Sequence, residues 1–208
     1  LQIRWHVVGC IISHEHDDHS HAAETLTRSG VPTIMSKGTL AALIKSGKDK
    51  LADNPVVIAP QPAETVSIGK YRIKPFEVEH DTAQPFGYLI LNTHTNERLL
   101  YATDTYFMRY TFPEIDYWLV ECNYTLELAR GSGKPLHDRL VKSHMSLERL
   151  EQAIMANDMS KTRLITLIHL SDERSDEKLM VDRIQQVSKV PTVAARGGME
   201  INLGTCPF

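Results

Sequence analysis

Six consecutive side chains, His14-Glu15-His16-Asp17-Asp18-His19, are all of types that ligate metals. They contain the spacing H-x-H-x-D-H, which says more than a merely polar run would. His14 and His16 stand two residues apart, so on an extended segment both rings point to one side and can share an ion. Asp18 and His19 follow where the chain turns and can face a second ion beside the first. The plain alternative is a solvated polar loop ahead of a helix, with Asp18 and Ser20 as capping residues. Four matches at fixed places weigh against it.

One loop cannot complete two coordination shells, so further ligands are expected at strand ends downstream. His80 ends an expected strand over 71–79, Asp104 follows the apolar run 99–102, and His169 ends the apolar run 164–168. A lone polar residue in such a place is usually a satisfied strand end. Three of them, in a chain that already carries the His-rich loop, read together as ligands.

The elements that must position them can be traced by pattern. The apolar run 7–12 reads as a buried strand feeding the loop, 20–28 as a helix closed by Gly30 and Pro32, 31–35 as a strand and 38–45 as a helix. The middle is β-rich, with strands at 56–59, 64–68, 71–78, 86–91, 99–102 and 117–121. A loop with Gly131, Gly133 and Pro135 follows. Ser146 caps a helix whose Leu147, Leu150, Ile154 and Met155 share a face. A strand at 164–168, an amphipathic helix at 175–189 through Leu179, Ile184 and Val187, and strands at Val193 and 199–203 close the chain. Helices before and after a β-rich centre make an α/β sandwich, read as a single domain over residues 1–208.

Composition narrows the class. The 208 residues carry 23 Lys plus Arg against 26 Asp plus Glu, a net charge of −3, which excludes a strongly basic nucleic-acid binder but not a local basic patch. No apolar run reaches the roughly 18 residues of a membrane span, so no membrane partner is expected. The three cysteines show no CxxC spacing, and a reducing, cytoplasmic setting is the simpler reading. Cys10 and Cys122 read as core residues, Asp81 as a turn residue, and His6, His21, His94 and His137 as surface. The sequence begins at Leu1, so a leader preceding it is left open.

With these residues in view, the chain resembles the metallo-β-lactamase superfamily of binuclear metallohydrolases, from about Val7 to its C-terminus. The resemblance implies the αββα sandwich of that family. That fold opens with a strand hairpin before the His loop, and with only residues 1–6 ahead of this region the hairpin is expected to be shortened or lacking. It also implies that His14, His16 and His80 bind one ion, that Asp18, His19 and His169 bind the other, and that Asp104 bridges them. An Asp bridge is similar to the hydrolase and phosphodiesterase branches. Ser143-His144-Met145-Ser146 and His169-Leu170-Ser171 resemble motifs of the group containing ribonuclease Z, the WalJ-type exonucleases and short phage-associated relatives, although that group has Gly where this chain has Ser143.

The expected chemistry is hydrolysis by a hydroxide held between two divalent ions about 3.5–4 Å apart. Asp18 would bind metal and orient the nucleophile, and His144, by resemblance, would protonate the leaving oxygen. Glu121, at a strand end, is a candidate for orienting His144, with a purely structural role equally open. The imidazole and carboxylate set suits two Zn²⁺ best, with Mn²⁺ or Fe²⁺ open. Lys134, Arg139 and Lys142 could contact phosphate, though a solvated loop accounts for them better. The leading expectation is a phosphodiesterase or nuclease, with a phosphodiester substrate, nucleic acid included, and a homodimer left open. A thioester, lactone or amide hydrolase of the same fold and a non-catalytic metal-binding relative are the alternatives.

Overall fold

The computed structural model describes residues 7–131 and 134–203, with side chains for all of these except 134–137. It divides into two compact units, 1–97 and 98–208.

In the first unit three short strands, β1 (Cys10–Ile11), β2 (Thr33–Ile34) and β3 (Val57–Ile58), pair in parallel in that order. Of the expected 7–12 strand only two residues pair, and Val7 and Val8 are exposed, because β1 meets a partner only where its amides reach the carbonyls of Pro32 and Ile34. The expected 20–28 helix is two pieces, α1 (Asp17–Ser20) and α2 (Ala23–Arg28). Next comes α3 (Lys37–Lys45), capped by Ser36. Ile12, Ala23, Met35, Leu43 and Leu51 form the apolar core around which these elements close. A meander then runs through β4 (Val66–Ile68), β5 (Tyr71–Glu77) and β6 (Phe86–Asn92), all antiparallel.

The second unit is a parallel sheet in the order β7 (Glu97–Ala102), β8 (Tyr117–Glu121), β9 (Leu164–Ile168), β10 (Thr192–Ala194), with the first residue of β7 closing the first unit. After β8 come α4 (Leu126–Ala129) and α5 (Lys134–Ser143); of the expected loop, Gly131 is a turn residue between these helices, Gly133 lies outside the described residues, and Pro135 is helical. Pro135 falls in the first turn of α5, where a helix has no use for its N–H. Leu140 and Val141 then pack on Tyr124 and Ala129. Arg139 and Lys142 are thus exposed helix residues, and the side chain of Lys134 lies outside those described.

The next helix, α6 (Leu147–Met155), is capped by Ser146 as expected and buries Leu147, Leu150, Glu151 and Ile154, but Met155 is 65% exposed. α7 (Glu177–Ser188) buries Ile184, as expected, together with Met180 and Ser188, whereas Val187 is half-buried and Leu179 is exposed. Arg183 of α7 donates two hydrogen bonds to the Glu151 carboxylate. No strand forms over the described part of 199–203. No helix among the described residues is long and apolar enough to cross a membrane.

The β5–β6 loop, which carries His80, is bolted to the start of α3. The Ser36 hydroxyl donates to the Gln84 carbonyl (2.6 Å), and the Gly38 N–H donates to the Gln84 side chain (3.0 Å). A Cβ at Gly38 would lie 2.5 Å from the Gln84 Cβ and 3.3 Å from the Ala83 backbone. Gly38→Ala should therefore lower stability by about 1–3 kcal/mol through overpacking, although alanine is the better helix former. A thermal melt checks this, and an unchanged or higher midpoint would show that the loop yields.

Candidate metal centre

The first unit gathers four imidazoles. The ring centroids of His14 and His16 are 4.7 Å apart, those of His14 and His19 4.3 Å, and those of His14 and His80 4.7 Å. His16 Nδ1 lies 3.1 Å from His14 Nε2 and 3.3 Å from His80 Nε2. One ring nitrogen makes only one in-line hydrogen bond, yet two other nitrogens face this one. Ligands about 2.05 Å from a tetrahedral zinc stand about 3.3 Å apart, so this trio has the separations of a coordination shell. The residues fit a metal, and His14, His16 and His80 each offer an atom within 4.8 Å of the others.

Strand geometry sets the trio. Tyr88, buried in β6, donates its hydroxyl to the Ile12 carbonyl (2.6 Å), and the Phe86 N–H donates to the Ser13 carbonyl (2.8 Å). That fixes the backbone just ahead of His14. The Ser13 hydroxyl then lies 3.1 Å from His14 Nδ1 and 3.4 Å from His19 Nδ1, which turns the Nε2 edge of both rings outward from it. Glu15, between the first two histidines, accepts the Ala83 N–H (2.7 Å) and so ties the His80 loop to the motif. Asp18 sits in the first turn of α1 with its side chain 69% exposed, its carboxylate 3.3 Å from His19 Nε2. Asp81 is an exposed bend residue beside His80, and His21 and His94 are exposed, as expected. His6 and the side chain of His137 lie outside the described residues.

The second unit gathers Asp104, Glu121, His144 and His169, whose ligand atoms all lie within 4.8 Å of one another. Glu121 is the hub. Its Oε1 accepts from Nδ1 of His144 (2.7 Å) and lies 3.1 Å from Nδ1 of His169, while its Oε2 accepts the backbone N–H of Thr105 (2.9 Å) and of Met145 (3.2 Å). Two imidazoles and the chain beside Asp104 and beside His144 are thus held by one buried carboxylate. The rings of His144 and His169 stack, 5.4 Å between centroids. Asp104 Oδ1 stands 3.2 Å from His169 Nδ1 and accepts from the Thr103 hydroxyl.

Asp104 and His169 both take the left-handed backbone region, with φ of 48° and 57°. For side-chain-bearing residues that conformation costs on the order of 1–3 kcal/mol each, and it persists where surrounding contacts enforce it. Here the Thr105 amide is held by Glu121, and Asn123 donates to the His169 carbonyl (2.7 Å). The reversal at the end of β7 and of β9 presents each side chain at the strand tip. Ser143, in the place where the similar motif has Gly, is the buried last residue of α5 with no positive φ, so the backbone there does not require glycine.

Ser13, Glu15, Thr105 and Asn123 were not singled out by the sequence. The one signal for Asn123 is the period of two that places it on the side of Glu121 as the chain runs on from β8. Cys122 between them is buried, and burial holds its thiol far above the ordinary value, which suits a core residue; Cys10 is half-buried and also raised by burial.

Burial alone would push Glu121 up and His144 down. The hydrogen bonds and charges between them outweigh it, leaving the Glu121 carboxyl below its ordinary value and the His144 imidazole above its own. In the metal-free protein the raised His144 adds stability that is complete below about pH 6.5 and lost as pH rises through its folded value. The lowered Glu121 adds stability above its ordinary carboxylate value and loses it as pH falls through the folded one. Glu121→Gln should therefore bring the His144 titration midpoint from above 6.5 to below it, since burial stays and the charge goes. Ring-proton NMR of the metal-free protein reads this, and an unmoved midpoint would show that another group sets it.

Comparison with known proteins places these clusters in a family. Residues 5–170 match the family model of the beta-lactamase superfamily domain. The chain is 28% identical over 189 residues to the exodeoxyribonuclease WalJ of Streptococcus pneumoniae, covering 85% of this chain and 70% of that protein. It is 25% identical over 190 residues to the exodeoxyribonuclease YycJ of Bacillus anthracis, covering 87% and 70%. Among solved structures it is similar to the metallo-beta-lactamase fold protein YhfI of Bacillus subtilis, with a TM-score of 0.66 at 14% identity over 92% of this chain and 76% of that one. The His-rich loop, the strand-end ligand types and the mixed α/β architecture thus have one source: the chain belongs to the beta-lactamase superfamily and has the metallo-β-lactamase fold.

Proposed function

We propose that the protein is a binuclear metal-dependent hydrolase of phosphodiesters, nucleic acid included, built as one domain over residues 1–208 and acting in the cytoplasm. The observation that carries this reading is the pairing of His144 with the buried Glu121 at 2.7 Å, in a chain that also gathers the imidazole trio of His14, His16 and His80. A purely structural metal site has no use for an acid–base imidazole held in a fixed tautomer. The exodeoxyribonuclease names of the two relatives support the phosphodiester over a carbonyl substrate.

On this reading His14, His16 and His80 would hold one ion, Asp18, His19 and His169 would hold the other, and Asp104 would be a ligand shared by both. The imidazole-rich donor set suits Zn²⁺, with Mn²⁺ or Fe²⁺ also served by it. When bound, such ions activate water at neutral pH and offset charge on phosphoryl oxygens. The chain's own residues do the rest. Asp18, exposed beside His19, would orient the attacking water as well as serve as a metal ligand. With Nδ1 committed to Glu121, His144 presents Nε2 to the leaving oxygen and passes it a proton. Glu121 keeps that imidazole protonated and aimed, because its charge is matched by both histidines.

Metal content by elemental mass spectrometry and turnover of a chromogenic phosphodiester test the reading together. The wild type should carry about two ions and hydrolyse the diester. His144→Ala should keep the metal and lose about 10²–10⁴-fold in kcat, whereas Asp104→Ala should lose metal as well. Full turnover by His144→Ala, or hydrolysis of a thioester in preference to any phosphodiester, would sink the assignment.

A further inference from the structure

His144 stands where α5 stops, and its neighbours show what stops the helix there. The last bond of the helical pattern runs from the His144 N–H to the Leu140 carbonyl (2.9 Å). The next would join the Met145 N–H to the Val141 carbonyl. Both groups are taken elsewhere. Met145 donates instead to Oε2 of Glu121 (3.2 Å), and the Val141 carbonyl accepts from Nη1 of Arg149 (2.7 Å). The same Nη1 donates to the carbonyl of Tyr106 (3.1 Å), two residues beyond Asp104, and the guanidinium lies over the Tyr106 ring, 5.3 Å from its centroid. One half-buried side chain thus ties the end of α5 to the chain that leaves Asp104.

Within α6 itself Arg149 is out of place. It is the third residue after the Ser146 cap, where a capping box carries Glu or Gln, and a cation in the first turn opposes the helix dipole. At the end of α5 the same charge meets a carbonyl of the last turn, where a cation is favoured. A side chain that is unfavourable for its own helix and caps its neighbour points to what that neighbour presents, and the next side chain there is His144.

We propose that Arg149 is a positioning residue for the proton donor: by occupying the Val141 carbonyl it ends α5 at His144 and leaves the Met145 amide to Glu121. Nδ1 of His144 then meets the other oxygen of the same carboxylate, at 2.7 Å. The role rests on the reading of His144 as the acid and adds the group that aims it. A charged donor holds a carbonyl more firmly than a backbone amide does, so with Arg149 present the helix cannot run on. Without it, the Val141 carbonyl competes with Glu121 for the Met145 amide. A helix one residue longer would take up His144 and turn its ring away from Glu121.

Proton NMR of the full, zinc-supplemented protein and kinetics on a chromogenic phosphodiester test this together. A downfield imidazole N–H signal, assigned by its loss in His144→Ala, reports the bond from Nδ1 to Glu121. Arg149→Met should lose that signal and about 10–100-fold in kcat with KM unchanged, the scale of a catalytic group misplaced by about an ångström. Arg149→Lys, which keeps a charged donor, should recover part of both. Ile154→Val, a core change in the same helix, controls for stability alone: it should lower the melting temperature and leave the signal and kcat as they are. Where Arg149→Met does not fold, Arg149→Gln is read in its place with the same expectation. An undiminished signal in the folded variant, an equal loss in Ile154→Val, or no such signal in the wild type would overturn the role. Absence of diester hydrolysis by the wild type would overturn the phosphodiesterase reading, while the N–H signal still decides what holds His144.

Discussion

The carboxylate of Glu121 is buried at the end of β8, and all its hydrogen-bonding capacity is spent on the site. A buried charge is tolerable only when paired and hydrogen-bonded. Two imidazoles and two backbone amides meet that requirement here. The four partners come from three segments of the second unit: Thr105 from the loop after β7, His144 and Met145 from the end of α5, and His169 from the tip of β9. The electrostatic need of one group therefore draws three segments to a common point. Removing it would leave two amides and two ring nitrogens without their acceptor in a dry place, which is why the hub cannot be exchanged for an apolar residue at little cost.

The first unit solves the same problem with backbone rather than charge. Its histidines come from one loop and from the turn between β5 and β6, and the precision comes from β6. Tyr88 and Phe86 fix the carbonyls of Ile12 and Ser13, and Gln84 fixes the turn to the start of α3. The Ser13 hydroxyl then orients two of the rings. Imidazole ligands need this second layer, because a ring that rotates presents the wrong nitrogen.

Strain and function coincide at the strand tips. Asp104 and His169 sit in a conformation that glycine would adopt without cost, yet both carry side chains of metal-binding type. The contacts of Thr105 and Asn123 hold them there, so stability is exchanged for a fixed presentation of the two side chains. The same Thr105 that braces Asp104 also braces the carbonyl of Phe107, so the candidate ligand and the chain that follows it share one support.

The sequence by itself determined the candidate ligand types, the family and most of the strands. The spacing of His14, His16, Asp18 and His19 lies within six residues, and β8 and β9 are apolar runs whose ends the pattern marks to the residue. Elements fixed by local patterning were legible because a period of two or 3.6 is written in neighbouring residues. Local pattern was insufficient where tertiary packing decides: α5 forms through Pro135, with Leu140 and Val141 packed on Tyr124 and Ala129. The inner face of α7 keeps Ile184 but takes Met180 and Ser188 in place of Leu179 and Val187. Glu121 was legible as a carboxylate at a strand end, but only the fold placed its two oxygens on four donors from distant positions. Ser13, Thr105 and Asn123 have ordinary residue types and no motif, and Glu15 fills one of the unspecified places of the His motif. Their roles are hydrogen bonds of fixed length and direction to residues remote or merely adjacent in the chain, and such bonds exist only once the strands have brought their ends together.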